Sequence, residues 1–569
     1  MILVGVAFVR LGWLMIFRGD YYYIRATALW ERERSVKAPR GIIYDRNGVV
    51  LASNKPVCSI SVIHNQITDS ESVIANLSEL LCMDESTIRK KVEKISSREI
   101  IKNNVDKEVA DAIRALHMDG VMIDEDYKRY YPYETLASKV IGFTGGDNQG
   151  IVGLEVYYDD VLMGTVGSIN TQTTARGIEI ANAAETRTEP IPGNNLVTSI
   201  DINIQQYITA KAQEVLERKQ AKRVCIIVMN PQNGEIYGLC DVPEYNLNEP
   251  FELNYEVSDD TEVTQDMRNQ MWRCFCINDT YEPGSTFKIV TATAGFENEV
   301  LHVEDSFHCP GYRVVEDRKI RCHKVVGHGA ENFRQGIMNS CNPVFMDVGA
   351  RVGVENFYRN LETLGLFEKT GIDMPGEANS IFHKQENVGA VELATMSFGQ
   401  SFQITPLQLL RAVSAVVNGG TLVTPHFGMY QTNPNGHITQ RYEYSNTKQV
   451  ITPETSQTMC ELLEAVVAEG TGHRAYLEGY SIGGKTATSE KLPRKTGRYI
   501  SSFIGFAPAD DPQLITLVLI DEPQGVYYGG TIAAPVVGDI YRNILPYLGI
   551  EKEEIIEDAE TICFEDNVF

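Results

Sequence analysis

The distribution of apolar residues along the chain first sets apart its N-terminal segment. Residues 1–17, MILVGVAFVRLGWLMIF, are almost wholly apolar, with Arg10 as the one charge. The run is slightly shorter than the roughly 20 residues that cross a bilayer. The alternative is a signal peptide, but the basic start and the small-residue cleavage site of such a peptide are missing. We therefore predict a single, partial membrane anchor, with the remaining chain outside the cytoplasm.

The next region shows short alternating runs followed by helical periodicity. Two apolar runs within residues 38–52 flank Asn47-Gly48, which indicates a β-hairpin. From about 68 to 125 the pattern is helical and charged, most clearly over residues 100–116. No catalytic pattern stands out here, so we predict a scaffold. It ends in a Thr-, Glu- and Pro-rich linker at residues 183–193.

Beyond the linker, strand-like and helix-like runs alternate. Residues 196–201 predict a strand that leads into a helix through Leu216, and residues 224–239 are rich in strand-forming residues. Such alternation predicts helices layered on a sheet, an α/β or α+β fold. The later predicted helices cover residues 338–348, 406–417 and 455–467, and the later strands cover residues 502–507 and 514–520.

Composition narrows the possible functions. At 569 residues the chain is too long for one hydrophobic core, so several domains are expected. Its net charge of −25 argues against binding to nucleic acid, which needs a basic surface. The eleven cysteines are scattered and odd in number, so they predict no disulfide framework.

The most informative segment is residues 281–288, YEPGSTFK. Its Pro-Gly turn precedes Ser285, and Lys288 follows three positions later, on the same face of a predicted helix. A desolvated lysine amine can take the proton of a serine hydroxyl, and the free N–H groups at a helix start can hold an oxyanion. Ser445 and Lys448 have the same spacing, but no such turn or apolar helix adjoins them.

Two further motifs add chemistry to this pair. Residues 339–343, NSCNP, supply the hydroxyl of Ser340 and the amide of Asn342. Residues 483–488, GGKTAT, supply a second ammonium and two hydroxyls, from Lys485, Thr486 and Thr488. The offsets between the three motifs are 340 − 285 = 55 and 485 − 340 = 145 residues.

Ser-x-x-Lys, Ser-x-Asn and Lys-Thr-Gly, in this order, resemble the motifs of penicillin-binding proteins and serine β-lactamases. The third motif departs from the pattern, because Ala487 replaces its glycine. Literal Lys-Thr-Gly strings at 369–371 and 495–497 lie in loop-like surroundings, the latter in a predicted hairpin turn. Only Lys485 follows a glycine pair and precedes a strand, so we assign the motif to it. We expect Ala487 to narrow the cleft or to slow acylation.

Resemblance extends along almost the whole chain, to the class B penicillin-binding proteins, the peptidoglycan DD-transpeptidases of the septal or sporulation type. It implies a transpeptidase domain in which helices cover a central antiparallel sheet, at residues 191–550. An elongated α+β pedestal or dimerisation-like domain at 18–190 would follow the anchor at 1–17, and 551–569 would form an acidic tail. Segments that carry the resemblance are RGIIYDRNG at 40–48, GLE at 153–155, TSID at 198–201, SFGQ at 397–400, TPLQ at 405–408, NGG at 418–420 and AAP at 533–535.

The resemblance also implies residue roles. Ser285 would attack the penultimate D-Ala carbonyl of a stem peptide with Lys288 as base. Ser340 and Asn342 would relay protons and position the peptide, while Lys485 and Thr486 would bind the substrate carboxylate. The backbone N–H groups of Ser285 and Thr488 would hold the oxyanion, Thr486, Ala487 and Thr488 would contact the substrate, and β-lactams would acylate the same serine. No metal or organic cofactor is implied.

Other activities of the same fold remain as alternatives. A β-lactamase needs a carboxylate-held water, but residues 249–254, EPFELN, precede Ser285 instead of following Ser340. A D-alanyl carboxypeptidase differs only in its acceptor. Because Ala487 departs from the motif, a catalytically weak scaffold or β-lactam sensor of the same fold is a further alternative. Expected partners are stem peptides, β-lactams, the membrane, a glycosyltransferase and other cell-wall synthesis proteins, and no nucleic acid.

Cysteine and histidine residues cluster between the first two motifs. His308-Cys309, Cys322-His323 and His328 raise the question of a zinc site, but without a Cys-x-x-Cys pattern we predict no metal and a loop with buried thiols. A second hypothesis concerns Cys322 and Cys341. If Cys322 lies over the cleft, the two form a possible redox pair that distorts the Ser-x-Asn loop. The alternative is two reduced neighbours, or no contact.

Overall fold

A computed structural model describes residues 2–22, 31–95, 98–172, 186–258, 261–444 and 448–552. Ser445, residues 183–185 of the linker and residues 553–569 of the acidic tail lie outside these ranges. Within the described residues the chain opens with the helix Ile2–Ile16, and no helix there combines the length and apolarity needed to cross a membrane.

The N-terminal part is built around one long strand, Val50–Val62. This strand pairs antiparallel with Ile43–Tyr44, with Glu99–Asp106 and with Val121–Tyr130. The predicted hairpin at Asn47-Gly48 is confirmed, because the strands before and after it pair. The helix predicted to begin at residue 100 is wrong: residues 99–106 form a strand, and only Lys107–Ala115 is helical.

Three helices cover this sheet. Val73, Ile74 and Leu77 of Ser70–Leu81 pack on Ile60 and Val62 of the long strand, because they recur at helical spacing on one face. A separate three-stranded sheet is formed by Glu31–Val36, Gly167–Gln172 and Thr186–Thr188, and the strands lie in this order in space. The remaining helices of this part are Glu85–Val92, Lys107–Ala115, Ser138–Ile141, Gly153–Tyr157 and Asp159–Leu162.

The C-terminal part contains a central antiparallel sheet of five strands, as the resemblance implies. Alternate residues of Arg223–Met229 point to opposite faces: Ile226 joins one hydrophobic cluster and Ile227 the other. Helices cover both faces, which buries both sets. In spatial order the strands are Ile236–Val242, Arg223–Met229, Leu514–Asp521, Tyr499–Ala507 and Gly483–Glu490.

Two helices, Ile202–Lys219 and Ala534–Tyr547, contribute to the cluster on one face of this sheet. The predicted helices at 406–417 and 455–467 are confirmed, within Pro406–Val417 and Pro453–Ala468. The helix predicted over 338–348 is instead broken at residues 339–341, which separate two helices. The other helices are Gln265–Trp272, Phe275–Asn278, Lys288–Glu297, Phe333–Met338, Asn342–Thr363, Ala390–Met396 and Gly529–Ile532.

Residues 306–332 form a small β insertion between the helices Lys288–Glu297 and Phe333–Met338. Ser306–Cys309 pairs with Gly329–Asn332, and Tyr312–Val315 pairs with Arg318–Arg321. Most of its side chains are exposed, so the insertion has little core of its own.

The strand Asn195–Thr198 connects the two parts. It pairs with Ile43–Tyr44 on one side and with Gly428–Thr432 on the other, so one sheet contains strands from both ends of the chain. The remaining short strands are Ile438–Arg441, Thr421–Leu422 and Lys448–Gln449.

Candidate active site

Ser285 lies in a tight 3-10 turn, Gly284–Phe287, which runs directly into the helix Lys288–Glu297. Gly284 has a φ of +59°, and a Cβ on it would approach Ser489 Oγ to 2.3 Å. Its N–H donates to the Gly399 carbonyl at 2.9 Å, and a Cβ on Gly399 would lie 2.0 Å from the Gly284 oxygen. The turn is therefore fixed between two segments by close backbone contact, while Ser285 stays partly exposed.

Lys288 is fully buried one turn after Ser285. Its Nζ donates to the Ser340 carbonyl at 2.6 Å, to Ser340 Oγ at 3.1 Å and to Asn342 Oδ1 at 2.7 Å. Burial lowers the pKa of Lys288 from its ordinary 10.5 to about 8. The structure thus brings the first two motifs into direct contact and brings the pKa of the amine close to neutral pH, so that part of it is deprotonated there.

The Ser-x-Asn loop, residues 339–342, joins two helices at a sharp bend. Ser340 has a φ of +53°, a left-handed conformation that is uncommon for a residue with a side chain. The N–H of Cys341 donates to the Gly336 carbonyl at 2.9 Å, which closes the bend. Asn342 Nδ2 donates to the Arg321 carbonyl of the insertion at 3.3 Å, so this loop is tied to the insertion.

Lys485 is fully buried on the edge strand Gly483–Glu490, and within the described residues its Nζ has no hydrogen-bond partner. Burial and, secondarily, the nearby Lys288 ammonium lower the pKa of Lys485 well below its ordinary value. The preceding glycines allow this position: a Cβ would lie 2.1 Å from the Phe506 ring at Gly483 and 2.5 Å from the Phe503 ring at Gly484.

The residues after Lys485 alternate between the two faces of the strand. Ala487 is buried on the face that meets the serine turn, with its Cβ 3.6 Å from the position that a Cβ on Gly284 would take. Thr486 Oγ1 lies 3.3 Å from Thr471 Oγ1, and Thr488 Oγ1 accepts the Gly529 N–H at 2.9 Å. Both threonines therefore belong to the edge beside residues 471 and 529.

Cys322 and Cys341 lie next to each other, and both thiols are free. The Cys341 thiol donates to Cys322 Sγ, which lowers the pKa of Cys322 and raises that of Cys341. Cys322 belongs to the insertion and Cys341 to the Ser-x-Asn loop, so the proposed redox pair has the proximity that it requires.

Sequence reasoning missed the support of the serine turn. Glu282 Oε1 accepts the Ser401 N–H at 3.0 Å, and its Oε2 pairs with Arg494 at 2.5 Å. The contacts of Glu282 with Ser401 and Arg494 hold the segment that leads into the serine turn. No spacing signal links Glu282 to Arg494, because 212 residues separate them.

Comparisons with known proteins cover both parts of the chain. Residues 224–542 match the family described as "Penicillin binding protein transpeptidase domain", and residues 35–198 match "Penicillin-binding Protein dimerisation domain". "Stage V sporulation protein D" of Bacillus subtilis (strain 168) is 38% identical over 97% of this chain and 86% of its own length.

More distant proteins are also similar. "Peptidoglycan D,D-transpeptidase FtsI" of Buchnera aphidicola subsp. Schizaphis graminum is 28% identical over 92% of this chain and 89% of its own length. The crystal structure of Penicillin Binding Protein 2X from Streptococcus thermophilus matches with a TM-score of 0.74 at 20% identity, covering 92% of this chain and 83% of that one. This structural likeness supports the fold.

Proposed function

This chain belongs to the penicillin-binding proteins that carry a transpeptidase domain, and on that premise we propose that it is a serine-type D,D-transpeptidase that cross-links peptidoglycan stem peptides. The contact of buried Lys288 with both Ser340 and Asn342, one turn from partly exposed Ser285, is the observation that carries the assignment of its site. A neutral amine held among hydrogen-bonding groups is suited to take a proton from a serine.

In the first step Ser285 Oγ would attack the penultimate D-Ala carbonyl of the donor peptide. Lys288 would accept the hydroxyl proton, and the backbone N–H groups of Ser285 and Thr488 would hold the oxyanion. The peptide C–N bond then breaks, and the terminal D-Ala leaves with a proton on its amine, delivered through Ser340. An acyl ester on Ser285 remains.

In the second step an amine of a neighbouring stem peptide would attack the ester. A new amide bond forms, the ester bond breaks, and the proton of the amine returns to Ser285 Oγ through the same lysine and serine. Water in place of the amine gives the carboxypeptidase reaction. A β-lactam would acylate the same Ser285 Oγ: the amide C–N bond of its ring breaks, and the released nitrogen stays attached to the acyl group.

Lys485 would bind the carboxylate of the terminal D-Ala. Its ammonium is buried and unpaired within the described residues, which is costly unless an anion arrives. A substrate carboxylate would supply that anion and raise the pKa of Lys485 again. Thr486 on the same segment would add a hydroxyl donor.

The substrate also implies a location. Peptidoglycan is assembled outside the cytoplasmic membrane, so we place the catalytic domain on that side, with the apolar residues 1–17 as the attachment. The N-terminal part would then act as a pedestal and would offer surface to a glycosyltransferase or another protein of the cell-wall machinery.

Labelling with a fluorescent penicillin tests the nucleophile. We expect a stable adduct on the wild-type chain and none on Ser285→Ala. Ser445→Ala is the matched control, since Ser445 has the same spacing to a lysine, and it should label normally. Labelling of Ser285→Ala would contradict the assignment.

A stem-peptide assay with an added acceptor amine then separates the activities. Amide product in preference to hydrolysed peptide is expected from a transpeptidase. Rapid loss of the penicillin adduct would indicate a β-lactamase, and hydrolysis that the amine does not divert would indicate a carboxypeptidase.

A further inference from the structure

Three cysteines and one histidine meet beside the active site. The ligand atoms of Cys309, Cys322, His328 and Cys341 all lie within 4.8 Å of one another. In a tetrahedral zinc site with Zn–S bonds of about 2.3 Å, ligand atoms are about 3.8 Å apart. The four groups therefore need to move only slightly to surround one ion.

These residues come from four separate pieces of chain. Cys309 ends one strand of the insertion, Cys322 directly follows another, and His328 directly precedes a third. Cys341 directly precedes the helix Asn342–Thr363. Successive ligands are 322 − 309 = 13, 328 − 322 = 6 and 341 − 328 = 13 residues apart, so the sequence contains no Cys-x-x-Cys signal.

Glu331 provides a second, independent observation. It is 5% exposed, and its Oε1 is buried with no hydrogen-bond partner in the described part of the chain. This oxygen lies 4.0 Å from His328 Nδ1, while Oε2 accepts from Asn339 Nδ2 at 3.1 Å. A cation nearby would offset the desolvation of this buried carboxylate.

The backbone at this place is shaped to bring the ligands together. Gly311 and Gly327 have φ values of +92° and +86°, and a Cβ on either would strike a backbone carbonyl, at 2.0 Å and 2.3 Å. The N–H of Cys322 donates to the Gly311 carbonyl at 2.9 Å. Two close-packed turns thus hold the cysteine-bearing ends of the insertion.

We propose that Cys309, Cys322, His328 and Cys341 bind one Zn²⁺ ion that fastens the insertion to the Ser-x-Asn loop. A set of three thiolates and one imidazole is typical of tetrahedral zinc. Each cysteine loses its proton to solvent on binding, and no electron is transferred. A disulfide between Cys322 and Cys341 would account for only two of the four clustered residues. A metal site gives Cys309 and His328 a function as well.

The ion would supply stability that the insertion lacks. Its strands are short and mostly exposed, and small units with little core often depend on a metal. Because Cys341 lies between Ser340 and Asn342, the ion would also fix the two groups that Lys288 contacts. This second role rests on the proposed transpeptidase function, whereas metal binding does not.

Metal analysis of the full chain, purified with a thiol reductant, tests the site. We expect one zinc per chain, and a cobalt-substituted protein with the intense visible bands of tetrahedral thiolate coordination. Cys309→Ser and His328→Ala should lose zinc or change the spectrum. Cys82→Ser and His308→Ala are matched controls at exposed positions, the latter in the same insertion, and should keep both.

Two results would overturn the metal site: no bound metal when all three cysteine thiols are reduced, or a Cys322–Cys341 disulfide in metal-free protein that reductant and zinc together do not convert to a metal complex. The cobalt spectrum of the unmutated chain tests for a tetrahedral thiolate site even if the variants fail to fold.

The coupling to catalysis has its own measurement. Removal of zinc by a chelator under reducing conditions should slow acylation by penicillin at least tenfold, toward the roughly 100-fold that a 1 Å misplacement costs. Addition of zinc should restore it. An unchanged rate in zinc-free protein would overturn the role in ordering the loop. If wild-type protein binds zinc but forms no cross-linked product in the stem-peptide assay, the proposed function fails and the metal site stands.

Discussion

At the scale of single residues, Lys288 connects burial to reactivity. Burial lowers its pKa to about 8 because a desolvated ammonium is less stable than a neutral amine. Its three hydrogen bonds to Ser340 and Asn342 keep the amine in place. The amine is therefore positioned and partly deprotonated at the pH where the chain would work.

We expect the rate of acylation by penicillin to rise with pH and to level off above about 8. A group with a lowered pKa becomes the active base as pH rises through that pKa, so the rate should gain about tenfold per pH unit well below it. Stopped-flow labelling between about pH 6 and 9 measures this. Lys288→Arg stays protonated, so it should lose about 10²–10⁴-fold in rate on the high-pH plateau and should show no rise with pH. A profile that is flat over this range would contradict the role of Lys288.

Lys485 should lower the thermal stability of the fold and, at the same time, strengthen the binding of carboxylate-bearing substrates. We expect Lys485→Met to have an unchanged or higher melting temperature, because it removes a buried cation with no partner in the described residues. Acylation by carboxylate-bearing β-lactams should fall about 10- to 100-fold, as for loss of a hydrogen bond to a charged group. Calorimetry and labelling rates measure the two effects.

An exposed lysine gives the control. Lys495→Met changes one of the literal Lys-Thr-Gly strings, in the turn between two strands, and should alter neither quantity. A melting temperature lowered by Lys485→Met, with acylation unaffected, would show that Lys485 has a structural function instead.

At the scale of elements, the serine turn depends on close backbone contact. We expect Gly399→Ala to slow acylation tenfold or more, because the added Cβ would lie 2.0 Å from the Gly284 carbonyl and displace the turn that carries Ser285. Penicillin labelling and thermal unfolding measure the change.

Gly436→Ala is the matched control for that substitution. Gly436 has nearly the same φ, +85° against +84°, but no atom of the described residues lies within 4 Å of its Cβ position. It therefore shares the backbone strain, about 1 kcal/mol or more, without the clash. Equal effects on acylation from both substitutions would mean that strain alone accounts for the loss.

Motifs in which neighbouring residues act together could be predicted from the sequence. Ser285 and Lys288 share one turn, and the glycine pair before Lys485 marks a strand that must pass two phenylalanine rings. What could not be predicted depends on contacts between distant residues. The strand Glu99–Asp106 looks helical by periodicity, but it pairs with Val50–Val62, which determines its conformation. The cluster of Cys309, Cys322, His328 and Cys341 forms because the two strand pairs of the insertion bring distant residues together beside the Ser-x-Asn loop.

At the scale of the whole molecule, polar contacts join the N-terminal part to the catalytic part. Tyr158 OH donates to Asp373 Oδ2 at 2.6 Å, and Lys139 pairs with Asp241 at 3.2 Å, both largely buried. Because such groups are costly to separate, the two parts should keep a fixed relative position. A fixed N-terminal part is what the proposed pedestal role requires.

A buried ionic cluster lies inside the N-terminal part, where Glu155 pairs with Arg40 and with Arg129 at 2.6 Å each and is fully buried. We expect Glu155→Gln to reduce the free energy of unfolding of this part by about 3–5 kcal/mol, because two buried guanidinium groups lose their shared carboxylate. Urea unfolding followed by circular dichroism measures the loss.

Glu71→Gln, which removes an exposed partner of Arg89, should have little effect. Because Ser285 belongs to the other part, acylation without urea should stay near wild type in folded Glu155→Gln protein. Equal stability of the two variants would contradict the importance of the buried cluster, and lost acylation in folded protein would show that the pedestal also shapes the active site.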